Sequence, residues 1–316
     1  MKKWFAQAPA NVALIKYMGK SDDSTNLPSN SSLSYTLSDL LSFVELEQTK
    51  GVQDSWEVLQ LPGAESFSLS PTAEERFLRH LQLMKTTFGY EGIFIVRSCN
   101  NFPMSTGLAS SASSFAALTI AANRALSELT GRDELSETQM ADLSRQGSGS
   151  SCRSFFSPFA LWDQTGTRAV TDLGYSKFIH HAVLVSHTQK TVASTDAHTM
   201  VNTSPHFASR TRNAEHRLIT LMQTLREKNW LRSYELVRED FLEMHSLFKT
   251  AKPSFDYITA ESQQVLNDVQ DLWHKHKDGP LVTMDAGPNV HVLFREDQQS
   301  MANKFKDLYI GVYDVL

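Results

Sequence analysis

Ile93-Phe94-Ile95-Val96 is followed by Asn100-Asn101-Phe102-Pro103-Met104-Ser105-Thr106-Gly107-Leu108-Ala109-Ser110-Ser111-Ala112, and then by Phe115, Leu118, Ala122, Ala125 and Leu129. The four apolar residues after Gly92 predict a short buried strand. The five later ones recur at spacings of three and four, which predicts a helix from near Leu108 with one buried stripe. Between the two lies a loop of small and hydroxyl residues. A strand that passes into a helix through such a loop points free backbone N–H groups and the positive end of the helix dipole at one spot. Small side chains there let a phosphate come close. Ser110 and Ser111 add hydroxyls that bond phosphate or ligate Mg²⁺. No Gly-Lys-Ser/Thr closes the loop, so it is not a Walker loop. A Ser-rich helix start with no ligand accounts for the same residues.

Outward from this unit the chain stays mixed α/β, without an internal repeat. Val12-Ala13-Leu14-Ile15 reads as a buried strand, and Ser32 to Leu37 opens a second extended stretch. Thr203-Ser204-Pro205 supplies cap residues with Pro at the first helical position. The helix it starts carries Leu218, Leu221, Met222 and Leu225. A second helix carries Tyr234, Val237, Phe241, Met244 and Phe248. A third, from Thr259 to Lys277, stops at Gly279-Pro280. Leu281 to Met284 and Val290 to Phe294 read as strands. The turn-rich stretch from Thr165 to Lys177 places a domain boundary near residue 178, giving 1–178 and 179–316.

The whole chain has 316 residues, 41% of them hydrophobic, which is enough for a sizeable core and excludes disorder. Its 30 Lys+Arg against 35 Asp+Glu leave a net charge of -5, a poor match to nucleic acid or an anionic membrane. No apolar run approaches the roughly 20 residues that span a bilayer. Met1-Lys2-Lys3-Trp4-Phe5-Ala6-Gln7-Ala8 imitates the ends of a secretory signal. It has only three apolar residues before Gln7, where a signal needs roughly 7–15. The protein is therefore read as cytoplasmic, with Cys99 and Cys152 as reduced thiols. Eleven histidines show no metal-ligand spacing. His180-His181, His274 and His276 read as surface or half-buried residues.

Three further segments set polar groups at the edges of apolar ones. In Asn11-Val12-Ala13-Leu14-Ile15-Lys16-Tyr17-Met18-Gly19-Lys20, Lys16 follows Val12 and Leu14 onto one strand face and needs an anion if buried. A snorkelling lysine is the plainer alternative. In Arg145-Gln146-Gly147-Ser148-Gly149-Ser150-Ser151-Cys152-Arg153-Ser154, after a short helix, Arg153 offers a planar fork for carboxylate or phosphate. An Arg in a structural ion pair fits equally, and Cys152 is expected to pack rather than react. In Thr283-Met284-Asp285-Ala286-Gly287-Pro288-Asn289, Asp285 closes a strand before a tight turn that either holds it against a substrate or is simply a turn. These residues together support a phosphate-handling α/β enzyme.

In this order the segments resemble the diphosphomevalonate decarboxylases of the GHMP kinase superfamily. The family's opening A-P-x-N-x-A-x-x-K-Y-W-G-K is similar to Ala8-Pro9 through Lys20, and its L-P-x-N-S-S-L-S to Leu27-Pro28-Ser29-Asn30-Ser31-Ser32-Leu33-Ser34. Its G-S-G-S-A-C-R-S is similar to Gly147 through Ser154, and D-A-G-P-N matches Asp285 through Asn289. The likeness covers nearly the whole chain. It implies a two-domain GHMP kinase-like fold, α/β (α+β) in class, with an N-terminal ribosomal-protein-like α/β domain and a C-terminal ferredoxin-like domain. It implies ATP- and Mg²⁺-dependent decarboxylation of mevalonate 5-diphosphate to isopentenyl diphosphate by a homodimer. A related decarboxylase or 3-kinase of mevalonate or its 5-phosphate is the alternative. By the resemblance, Asp285 activates the C3 hydroxyl, Arg153 holds the C1 carboxylate, and Lys16 lies near both Asp285 and the transferring phosphoryl group. Tyr17, Lys20, Arg76, Ser148, Ser150 and Ser194 would meet substrate. Pro103, Ser105, Gly107, Leu108, Ala109, Ser110 and Ser111 would meet ATP, with Ser111 also on Mg²⁺. The chain departs from the family at Met18, where Trp is usual, and at Ser29, where an apolar residue is usual. Lys190 to Met200 resembles K-x-V-S-S-x-x-G-M, with Ala193 in place of a Ser and about two added residues before Met200.

Overall fold

The computed structural model describes residues 2–22, 24–64, 68–103, 110–187 and 191–316. The first half runs β1 (Lys3–Ile15), β2 (Lys20–Asp22), β3 (Leu27–Pro28), β4 (Ser32–Thr49), β5 (Ser55–Val58), α1 (Pro71–Phe88), β6 (Ile93–Asn100), α2 (Ser110–Thr130), α3 (Glu137–Gly147), β7 (Phe159–Asp163) and β8 (Gly166–Val170). The second half runs β9 (Phe178–Leu184), α4 (Ser194–Met200), α5 (Phe207–Arg226), α6 (Trp230–Thr250), α7 (Ala260–His276), β10 (Leu281–Met284), β11 (Val290–Arg295), α8 (Gln299–Asp307) and β12 (Asp314–Val315).

β4 organises the first sheet. β1 pairs along it antiparallel, while β6 and β7 pair with its second and first halves in turn. The register of β1 against β4 shifts between Pro9 and Ala10. A proline has no N–H to give the ladder, so a bulge is where a strand tolerates one. Before Pro9 the strand alternates, with Trp4, Ala6 and Ala8 inward; from Ala10 to Ile15 it is buried throughout, because layers cover both faces. That buried end delivers Lys16. Helix α2 lies on this sheet through Ala116, Ala117, Ala121, Ala122 and Ala125, with Phe115, Leu118 and Leu126 buried among them. Small residues let the helix approach closely, and truncating Phe115 would cost about 3–5 kcal/mol.

The second sheet is antiparallel in the order β10-β11-β9-β12. With α8 between β11 and β12, and helices between β9 and β10, this is the ferredoxin-like arrangement that the resemblance implies. Tyr234, Val237, Phe241, Met244 and Phe248 are all buried on α6, as their period predicts. One apolar core joins β1, β4 and β7 to α5, α6, α7 and the second sheet.

Some boundaries differ from those read in the sequence. Helix α5 starts at Phe207, not after Ser204: Ser204 Oγ accepts the His206 N–H at 3.2 Å, so Pro205 lies in a turn that Ser204 caps. Helix α7 ends at His276, and the left-handed residue is Lys277 (φ 55) rather than Gly279. Gly279 serves packing instead, since a Cβ there would meet the Trp273 ring at 2.7 Å. Helix α1 is an addition to the sequence reading, although Ser70 accepts the Ala73 N–H and Pro71 follows as a standard start. His181 is buried rather than half-exposed because β9 lies inside its sheet, between β11 and β12. His180 is half-buried against His291, at 3.0 Å, while His274 and His276 are exposed.

Candidate active site

A cleft of about 820 Å³ opens between the two sheets' layers, lined by Lys16, Tyr17, Lys20, Arg76, Ser110, Ser111, Ser148, Ser150, Arg153, Ser194 and Asp285 among others. It gathers residues that the sequence offered one at a time.

Lys16 leaves the end of β1 with only 2% of its side chain exposed, and its ammonium donates to Asp285 Oδ1 at 2.6 Å. The buried lysine thus has its anion, which removes the snorkelling alternative. Burial pushes the ammonium down from its usual range, while Asp285 pulls it back up. Burial also pushes the Asp285 carboxyl up, but Lys16, His291 and Arg153 outweigh it, and the net direction is down. Asp285 is therefore a carboxylate at neutral pH. Its backbone turn is closed by the Gly287 N–H at 2.8 Å, and its carbonyl accepts from His245 Nε2 at 3.2 Å. Asn289 holds the same turn to the end of β9 by exchanging two hydrogen bonds with the Ser186 backbone, at 3.1 and 3.2 Å.

The backbone of Lys16 is fixed from the other side. Asp240 on α6 accepts its N–H at 2.7 Å and also pairs with Arg210 on α5 at 2.9 Å, while Asn30 Nδ2 donates to its carbonyl at 2.9 Å. Arg210 and Asp240 are both fully enclosed. Sequence reasoning missed this pair; the one available signal was a charge on the buried stripe of each helix.

Arg153 sits in a 3₁₀ turn after α3. Its Nε donates to Asn11 Oδ1 at 3.1 Å and its Nη1 to Ser32 Oγ at 2.9 Å. Asn11 is itself held by Ser154 Oγ at 2.8 Å. Both partners are neutral, so no ion pair among the described residues uses up the guanidinium charge. Nη2 makes no hydrogen bond to a described residue, and Asp285 and Tyr17 act on it only through their fields. Burial lowers the guanidinium pKa, yet a guanidinium stays charged in a protein. Cys152 next to it is buried, donates to the Gly149 carbonyl at 3.2 Å, and is pushed up to about 11 by burial, so it stays a thiol.

The start of α2 is braced by hydroxyls: Ser42 Oγ lies 2.7 Å from Ser113 Oγ and donates to Asn100 Oδ1 at 2.7 Å. Ser111 Oγ meets Ser148 Oγ at 3.3 Å. Ser105, Gly107, Leu108 and Ala109 lie outside the described residues, and Pro103, half-buried after β6, is not among the described lining residues. Arg76 on α1 donates through Nε to the Gly147 carbonyl at 3.0 Å and lies over the Phe115 ring. Tyr17 lies between Trp162, whose ring is tilted against it, and His198, whose ring stacks on it. Met18 fills an apolar pocket with Ala197, Val201, Met244 and Phe248. Helix α4 runs unbroken from Ser194 to Met200. Lys190 lies outside the described residues; from Val192 the pattern V-S-S-x-x-G-M also fits with no added residues, Ala197-His198 then standing at its G-M.

The arrangement offers serine hydroxyls at the start of α2, a buried guanidinium without an anionic partner among the described residues, and a carboxylate paired with a lysine. The family model described as Diphosphomevalonate decarboxylase-like N-terminal domain matches residues 8–172, and that described as Mevalonate 5-diphosphate decarboxylase C-terminal domain matches 182–312. A crystal structure of a mevalonate diphosphate decarboxylase from Legionella pneumophila is 51% identical, with a TM-score of 0.94 over 100% of both chains. A structure described as MDDEF in complex with MVAPP, AMPPCP and magnesium is 29% identical, with a TM-score of 0.85, covering 96% of this chain and 92% of its own. The diphosphomevalonate decarboxylase of Candida albicans is 31% identical over 315 residues, 92% of this chain and 84% of that one.

Proposed function

The chain belongs to the diphosphomevalonate decarboxylase family, and we propose that its cleft carries out ATP-dependent decarboxylation of mevalonate 5-diphosphate through Asp285, Lys16 and Arg153. The observation that carries this assignment of roles is the Lys16–Asp285 pair at 2.6 Å, lining one cleft with a guanidinium that has only neutral partners among the described residues.

A tertiary C3 hydroxyl leaves poorly, so the reaction first turns it into a phosphate ester. Asp285 accepts the hydroxyl proton while the oxygen takes the γ-phosphoryl group of ATP. Phosphoryl transfer asks mainly for positioning and charge neutralisation, and Lys16 supplies a positive charge beside the reacting oxygen. The phosphate then departs with the C3–O electron pair. The C1–C2 electrons form the C2=C3 bond as CO₂ leaves, while Arg153 keeps the carboxylate in line. In this reading Tyr17, Lys20, Arg76, Ser148, Ser150 and Ser194 meet the substrate, and Pro103, Ser105, Gly107, Leu108, Ala109, Ser110 and Ser111 serve ATP. Ser111 and Ser148 present neutral oxygens 3.3 Å apart, the hard donor type that Mg²⁺ takes alongside phosphates. When bound, the ion offsets phosphate charge.

No helix of the described residues is long and apolar enough to cross a membrane. The reading includes a cytoplasmic homodimer with domains 1–178 and 179–316; light scattering on a sizing column tests the dimer. The test of function presents Mg-ATP with mevalonate, its 5-phosphate and its 5-diphosphate. The diphosphate should exceed the monophosphate in kcat/KM by at least about tenfold. Equal use of both would move the assignment to a monophosphate decarboxylase.

A further inference from the structure

His198 is a polar cleft residue for which no role has been given. It is the fifth residue of α4, four after Ser194 and so on the same face of the helix. Its ring stacks on Tyr17, with centroids 4.3 Å apart and planes at 30°. Its Nδ1 lies 3.0 Å from the Gly19 nitrogen. Gly19 is held in a left-handed turn, φ 84, where a Cβ would meet the Phe207 ring at 2.4 Å, so this N–H has little freedom to turn away.

That contact fixes the tautomer. A backbone N–H only donates, so Nδ1 must keep its lone pair, and a neutral imidazole then carries its hydrogen on Nε2. Nε2 makes no hydrogen bond to a described residue, and the ring lines the cleft. Burial first, and then Lys20 and Arg153, push the imidazole down to about 3, so the ring is neutral at pH 7. An anion entering the cleft would therefore meet an oriented neutral donor in the field of two cations that line the same cleft.

We propose that His198 is a specificity-determining residue whose Nε2–H donates to an oxygen on the phosphate-bearing arm of the substrate. The face it shares with Ser194, and the nearby charge of Lys20, select that arm over the carboxylate end. On the match without added residues, His198 stands where the family pattern has Met, and there this chain carries a hydrogen-bond donor. The inference rests on the decarboxylase reading.

Three substitutions separate the ring's duties. His198→Asn keeps an acceptor near Nδ1 for Gly19 but lacks the Nε2 donor. His198→Gln keeps a donor near Nε2 and gives up the Gly19 contact. His198→Phe keeps only the stacking. With mevalonate 5-diphosphate and Mg-ATP, the Asn and Phe variants should raise KM for the diphosphate about tenfold, the size of one hydrogen bond to a charged group. Their kcat should stay within about threefold and KM for ATP should not move, while the Gln variant should stay near the unaltered protein. Nitrogen-15 spectra of the ring should show the Nε2–H tautomer and a shift of that nitrogen on adding the diphosphate. If the Asn variant matches the unaltered protein, His198 only holds Gly19, and the proposal is overturned. If Gln is as impaired as Asn, the donor is not what matters, with the same result. Failure of the unaltered protein to turn over would instead remove the functional reading itself. Should the Phe variant not fold, the Asn and Gln pair still decides.

Discussion

Replacing Asp285 by Asn keeps the shape of the side chain and removes its charge. Lys16, 2% exposed, would lose the carboxylate its ammonium touches at 2.6 Å, while Arg153 still repels it. Breaking a buried pair usually costs about 3–5 kcal/mol. Here two effects reduce that. The Asp285 side chain is 26% exposed to the cleft, so water reaches the gap, and burial already favours loss of the lysine proton. A loss of about 1–3 kcal/mol in stability is therefore expected. Catalysis loses more. A positioned base contributes roughly 10²–10⁴-fold, or about 3–5 kcal/mol in the barrier. Because the 3-phosphate must form before CO₂ can leave, ADP and CO₂ production should fall together by at least about 10²-fold. Nucleotide affinity, which the proposed roles assign to the start of α2, should change little. A coupled ADP assay, CO₂ release from C1-labelled substrate and a urea titration supply the three readings. Near-normal turnover in a folded variant would remove Asp285 from the mechanism. A fall in CO₂ release with ADP formation intact would place it after phosphoryl transfer.

Arg153→Lys keeps a charge but loses the planar fork that Asn11 and Ser32 orient; kcat should drop sharply, and a rise in KM alone would confine Arg153 to ground-state binding. Arg76→Ala should shrink the preference for diphosphate over monophosphate more than it slows the monophosphate, and an unchanged ratio would take Arg76 off the diphosphate. Acid should weaken the fold well above the carboxylate range. His80 and His245 are enclosed, and burial lowers each to about 4. The unfolded chain therefore binds more protons from about pH 6.5 down to 4. Their contribution is complete above pH 6.5 and declines on acidification, by on the order of 1–3 kcal/mol each. Urea midpoints at pH 7 and 4.5 test this; equal values would contradict it.

Elements with a clean hydrophobic period were legible in the sequence: β6, α2, α6 and both strands around Asp285. Boundaries failed at α5 and α7, where another force took over: Pro205 is drawn into a capped turn, and Gly279 is small because Trp273 lies against it. The site was legible only as fragments. Lys16 and Asp285 stand 269 positions apart, and no local pattern states that two such residues meet; the order of motifs, through the family resemblance, supplied the set. The supports of that pair had one faint local mark. Asp240 and Arg210 hold the Lys16 backbone from two helices, and a buried charge on a helix stripe announces a partner without naming it. His198 could have been found, since Ser194 was already a candidate and the next turn of a helix brings position 198 to the same face.

If this cleft couples phosphorylation of C3 to decarboxylation, product stoichiometry is the most direct measurement of it. The unaltered protein is given Mg-ATP and mevalonate 5-diphosphate, and ADP, phosphate, CO₂ and isopentenyl diphosphate are quantified in the same samples. Coupling predicts all four in equal amounts from the first turnovers onward. ADP accumulating with a phosphorylated C3 and no CO₂ would make the protein a 3-kinase and contradict it.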